Sequence, residues 1–151
     1  MSSELSDGRE DASVPSIVIV AEDDAELRLL VGSAVRRLGH QVLEVTDGER
    51  LQHLVDALDR DRRPELIIAD VRMPRADGLH VVSRLRAHDW YTPVILMTAF
   101  ASEEVEEAAR ALGVAAVLSK PFAMEQLARC VSAILPRAGA PSATSTVGLE
   151  R

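Results

Sequence analysis

The sequence predicts an α/β fold, a parallel sheet covered by helices, and two observations predict it. From residue 16 to residue 135, short β-branched apolar runs alternate with longer stretches of helical apolar period. Four of the runs, Ser16–Ala21, Leu66–Ala69, Val94–Met97 and Val114–Leu118, stop at residues suited to phosphoryl transfer: Glu22-Asp23, Asp70, Thr98 and Ser119-Lys120. Parallel strands covered on both faces read as unbroken apolar runs. Their carboxyl ends share one edge of the sheet, where open α/β sheets place ligand sites.

Each element follows from local pattern. After the first strand, a helix is expected from about Asp24, with Leu27, Leu30, Val31, Ala34, Val35 and Leu38 on one face and Gly39 as its left-handed stop. Gln41–Val45 is a short strand, and Thr46 with Glu49 reads as a capping box for a second helix through about Leu58, with Leu51, Leu54, Val55 and Leu58 as its stripe. Beyond the strand ending at Asp70, Asp77-Gly78 opens a third helix that turns Leu79, Val82 and Leu85 inward, and Pro93 leads into the next strand. Ser102 caps a fourth helix whose first turn carries Glu103 and Glu104, favoured by the macrodipole, and Gly113 ends it. A fifth helix follows Lys120-Pro121, burying Met124, Leu127, Cys130, Val131 and Ile134, and stops at Pro136. Residues 1–15 and 136–151 are polar, aperiodic and rich in small residues, and are expected to be disordered tails flanking one domain over 16–135.

Composition removes several classes of function. A formal net charge of −7 and the lack of any Lys/Arg cluster oppose direct DNA binding and attraction to anionic membrane. No stretch approaches the roughly 20 apolar residues of a membrane span, and Met1–Ala12 lacks the apolar segment of a signal peptide. A lone cysteine, Cys130, excludes an intramolecular disulfide. A cytoplasmic protein is expected. His40, His53, His80 and His88 show no metal-ligand spacing and read as solvated or helix-end residues.

The strand ends carry the chemistry. Glu22 and Asp23 are adjacent carboxylates that repel unless a cation lies between them, and a hard divalent ion such as Mg2+ is the guest that oxygen ligands select. Asp70, alone at the end of the most apolar strand, is the candidate nucleophile for an acyl phosphate. Lys120 would hold a phosphoryl oxygen as a point charge, and Thr98 supplies a neutral hydroxyl donor. Each residue has a plainer explanation, since an acidic helix start, a turn residue or a surface lysine is common. Their conjunction at four strand ends is not.

The segments IVIVAEDDAELR, LIIADVRMPRADGL, PVILMTAFA and AAVLSKPFAMEQL together resemble the receiver domain of two-component response regulators, over roughly residues 16–135. The resemblance implies a doubly wound (βα)5, flavodoxin-like sandwich with a parallel five-stranded sheet in the order 2-1-3-4-5. It implies phosphorylation of Asp70 by a histidine kinase or histidine phosphotransfer protein. Glu22 and Asp23 match the family's Mg2+-binding acidic pair, the backbone carbonyl of Arg72 a further metal ligand, Thr98 the switch hydroxyl, and Lys120 the phosphate-contacting lysine, followed by a cis Lys120-Pro121 peptide. Two departures stand out. Glu22 replaces the commoner Asp, and Val117 occupies a position where the family usually carries an aromatic that moves with the threonine, leaving the space to Phe100 or to movement of the loop after Thr98.

The expected protein is therefore a single-domain receiver that alters binding to an unknown downstream partner or relays its phosphoryl group, catalysing only its own phosphorylation and dephosphorylation. A Mg2+-dependent hydrolase with Asp70 as nucleophile is the alternative from another class. Such enzymes usually carry an acid/base Asp two residues later, where this chain has Arg72. A pseudo-receiver that binds partners without phosphorylation is a third reading, opposed by the complete set of acidic pair, Asp70, Thr98 and Lys120.

Overall fold

The computed structural model describes residues 16–58 and 62–136. Apart from Pro136, both predicted tails lie outside the described residues. Five strands, β1 (Ile17–Ala21), β2 (Gln41–Val45), β3 (Leu66–Asp70), β4 (Val94–Thr98) and β5 (Ala116–Ser119), alternate with five helices, α1 (Ala25–Arg37), α2 (Gly48–Ala57), α3 (Gly78–Ala87), α4 (Glu103–Ala111) and α5 (Met124–Ile134). All pairings are parallel and the order is 2-1-3-4-5, so the expected doubly wound sheet is the one found.

Alternation along each strand divides the core in two. Val18, Val20, Ile68, Ile95 and Met97 pack with Val31, Val35, Leu127 and Val131 from α1 and α5. Ile19, Ile67, Ala69 and Leu96 face Leu51, Val55, Val81, Val82 and Leu85 from α2 and α3, and Ala109 from α4. β3 and β4 are buried along their whole length, which is why they read as continuous apolar runs.

Several details depart from the sequence reading. Leu30 is half exposed rather than inward. The buried stripe of α1 is Val31, Gly32, Ala34 and Val35, rotated toward Gly32, which lies against Glu44 of the edge strand β2. The cap of α2 is Asp47 instead of Thr46: the Asp47 carboxylate accepts from the Arg50 amide at 2.7 Å, a charged acceptor that a threonine hydroxyl does not match. β5 starts at Ala116, two residues later than the run suggested, because Val114 still closes the end of α4 through its amide bond to the Ala109 carbonyl. Met124, Cys130 and Ile134 are only partly buried at the margin of the α5 face. His40 is buried, not solvated, and neither of its ring nitrogens has a hydrogen-bond partner. Gly39 turns the chain in a left-handed conformation, φ 95°, and carries His40 straight into the base of β2.

Candidate functional site

The carboxyl edge of the sheet is built from the ends of β1, β3, β4 and β5. Parallel pairing carries β1 one residue past its last rung, where the Glu22 amide still donates to the Val45 carbonyl at 3.1 Å. The Glu22 side chain is thereby sealed, 1% exposed, whereas Asp23, one residue on, stands in solvent. Asp70 closes β3 at 5% exposure, directly beside Met97 of β4. The close fit continues beneath it: α3 begins so near that a Cβ on Gly78 would lie 2.4 Å from the Asp70 carbonyl oxygen, so only glycine is tolerated there. Lys120 is anchored by its amide bond to the Thr98 carbonyl, 2.8 Å, and the following Lys120-Pro121 peptide is cis.

These placements converge the charged groups. Lys120 Nζ lies 2.6 Å from Asp70 Oδ2 and 3.0 Å from Glu22 Oε1, bridging two buried carboxylates. The remaining oxygens are bound by local backbone: Asp24 N–H donates to Glu22 Oε2 at 3.0 Å, and Arg72 N–H donates to Asp70 Oδ1 at 3.1 Å. One carboxylate oxygen from each of Glu22, Asp23 and Asp70 lies within 4.8 Å of the other two. Three carboxylates thus gather around one ammonium. Burial pushes the Glu22 carboxyl up to about 7, against the lowering effect of its hydrogen bonds from Asp24 and Lys120. Burial disfavours the Lys120 ammonium, but the hydrogen bonds to Asp70 and Glu22 prevail and raise its pKa above the ordinary value.

An all-oxygen, acidic, under-neutralised cluster fits a hard divalent cation such as Mg2+. Glu22, Asp23 and Asp70 are the residues that would hold it. Thr98 is buried at the adjacent strand end, but its hydroxyl is engaged with its own loop: it donates to the Phe100 carbonyl and accepts from the Phe100 amide, both at 3.0 Å. Phe100 itself is 73% exposed, and Val117 is partly buried against the α2 and α4 side of the sheet.

The structure therefore brings together Glu22, Asp23, Asp70 and Lys120, with Arg72 touching Asp70 through its amide. Sequence reasoning missed two residues that hold this edge. Arg28 donates to the Glu22 carbonyl at 2.8 Å, and buried Asp47 pairs with Arg75 of the loop after β3 at 3.2 Å. The amide hydrogen bond from Arg50 holds the Asp47 carboxyl below the usual carboxylate range despite its burial. An acidic residue two positions after a strand was the available signal for Asp47. Arg28 binds a backbone carbonyl and left none.

The described helices include none long and apolar enough to cross a membrane. A sequence model of the response regulator receiver domain matches residues 18–132. The transcriptional regulatory protein PdtaR of Mycobacterium tuberculosis is 34% identical over 128 residues, covering 84% of this chain and 60% of its own length, so the chain spans well under two thirds of that relative. Sporulation initiation phosphotransferase F of Bacillus subtilis is 27% identical over 119 residues, covering 79% of this chain and 93% of that protein. Among solved structures, the chemotaxis response regulator CheY4 of Vibrio cholerae superposes with a TM-score of 0.72 at 27% identity, covering 81% of this chain and all of that one.

Proposed function

Because the chain belongs to the response regulator receiver family of two-component phosphorelay signalling, we propose that Asp70 is its phosphoacceptor, loaded from a histidine kinase or histidine phosphotransfer protein. The observation that carries the reading is the Lys120 ammonium bridging Asp70 and Glu22 at 2.6 and 3.0 Å, with Asp23 completing the acidic cluster.

The chemistry follows from what each group can do. An Asp70 carboxylate oxygen attacks the phosphorus in line, forming an O–P bond as the donor's N–P bond breaks, and the leaving imidazole keeps the electron pair and takes a proton. Mg2+ held by Glu22, Asp23, Asp70 and the Arg72 carbonyl would supply the positive charge that lets a phosphoryl group approach three carboxylates. Arg72 N–H, already on Asp70 Oδ1, fixes which carboxylate oxygen faces the donor. Lys120 exchanges its contact with Asp70 for one with a phosphoryl oxygen. Thr98 releases the Phe100 backbone and donates to another phosphoryl oxygen, a charge-assisted bond about twice as strong as the neutral one it leaves. With Val117 in place of an aromatic, the loop carrying Phe100 takes up the motion, reshaping the surface beyond β4. The outcome is changed affinity for a protein partner or onward transfer of the phosphoryl group, and one of the similar proteins is itself a phosphotransferase.

The test is intact-mass analysis after incubation with acetyl phosphate and Mg2+. The reading expects one acid-labile phosphoryl group, none in Asp70→Asn and none with EDTA. Labelling that survives either change contradicts it.

A further inference from the structure

The carbonyl of Glu22 sits where the β1 ladder ends, so no strand takes its lone pairs. Arg28 does so instead: from the first turn of α1, its Nη1 donates to that carbonyl at 2.8 Å. A second carboxylate orients the guanidinium, because Arg28 Nε lies 3.5 Å from Glu44 Oε1 on β2, with the two side chains 17% and 19% exposed. The other Glu44 oxygen pairs with Arg36 Nη2 at 3.0 Å, which pins the carboxylate against α1. Space for it comes from Gly32, where a Cβ would stand 2.6 Å from Glu44 Oε2. A glycine inside a helix is less favourable than alanine, and here it sits where the carboxylate lies on the helix.

We infer that Arg28, oriented by Glu44 and given room by Gly32, is a positioning residue that fixes the Glu22-Asp23 backbone in the geometry the cation needs. The inference rests on the acidic cluster being the metal site of the proposed function. Its chemistry is that of outer groups that orient metal ligands through hydrogen bonds rather than touching the ion. The edge strand β2, which contributes no residue to the acidic cluster, thereby tunes the cluster's affinity.

Mn2+ binding to the full chain, followed by the EPR signal of the free ion with no phosphodonor present, tests this separately from phosphorylation. Arg28→Ala is expected to bind Mn2+ about tenfold more weakly, the low end for outer-group substitutions, and Arg28→Lys to recover part of the loss by restoring a donor. Glu44→Gln is expected to weaken binding in the parent chain but to add nothing in the Arg28→Ala background, since it acts through Arg28. Gly32→Ala removes ambiguity from folding: it favours the helix and leaves the thermal midpoint no lower, yet it displaces Glu44 and weakens Mn2+ binding. Unchanged affinity in Arg28→Ala, or an undiminished effect of Glu44→Gln in its background, overturns the inference while leaving the acidic site standing. Failure of the parent chain to bind Mn2+ overturns both.

Discussion

The two edges of this sheet each bury charge, and they satisfy it differently. At the amino edge the Arg86 guanidinium donates to three backbone carbonyls, those of Leu112 at 2.8 Å, Trp90 at 2.9 Å and Thr92 at 3.0 Å. Around it Trp90 Nε1 donates to the Thr92 hydroxyl, which donates to the Pro64 carbonyl at 3.2 Å, and Arg63 stacks over Trp90 at 4.4 Å. These contacts tie the loops down, and no carboxylate takes part in them. At the carboxyl edge three carboxylates gather around a single ammonium, with one oxygen of each within 4.8 Å of the others. The same sheet ends in a staple on one side and in an under-neutralised pocket on the other. A buried charge marks a functional site when its partners leave capacity for a ligand, not merely when it is buried.

That contrast breaks most visibly at Arg86. Truncation to Ala removes a guanidinium whose three carbonyl partners are then left unpaired in a half-buried loop junction. Arg86→Ala should cost about 3 kcal/mol by urea denaturation while leaving phosphoryl uptake at Asp70 intact in the folded protein. A loss of uptake without a loss of stability would reverse the roles assigned to the two edges.

The edges should also titrate in opposite directions. Glu22 has a folded pKa raised to about 7 from 4.5, so its contribution to stability is complete below the unfolded value and is lost as pH rises toward 7. Glu22→Gln removes that loss and should be about 2 kcal/mol more stable than the parent at neutral pH without divalent cation. His40 is the mirror case. Burial, opposed by the charge of Glu65, lowers its pKa from 6.5, so its neutral form is favoured by folding and stability is lost as pH falls below 6.5. His40→Leu should flatten the decline in stability as pH falls below 6.5. Stability profiles with the same slope in both variants would remove the distinction.

The same contrast explains what could be read from the sequence. Strands buried on both faces leave unbroken apolar runs, so β1, β3 and β4 are plain, and the residues closing them, Glu22, Asp70 and Thr98, stand out by interrupting the run. Asp24, Asp77 and Ser102 are legible as caps because a short polar side chain before a helical period has one usual purpose. Arg28 and Arg86 are illegible because their partners are backbone carbonyls, which every residue possesses. His40 is misread because its burial comes from the turn at Gly39 and the packing of the sheet's base, neither of which alters the residue pattern around it. Leu30 is misread because the stripe of α1 rotates toward a glycine that helical periodicity does not count as apolar. In the site, the identities of Glu22, Asp23, Asp70 and Lys120 are readable, but the resting engagement of Thr98 with Phe100 depends on a loop conformation that strand and helix periods do not encode.

The central claim, that the carboxyl edge keeps unspent oxygen capacity for a cation and the amino edge does not, is tested most directly by melting the protein at neutral pH across a Mg2+ titration. A ligand that binds only the folded state stabilises it by RT ln(1 + [L]/Kd). The account predicts a midpoint that climbs with Mg2+ in the parent chain and climbs equally in Arg86→Ala from its lower starting point, but stays flat in Glu22→Gln/Asp23→Asn. A midpoint indifferent to Mg2+ in the parent, or one that still climbs in the double variant, would contradict it.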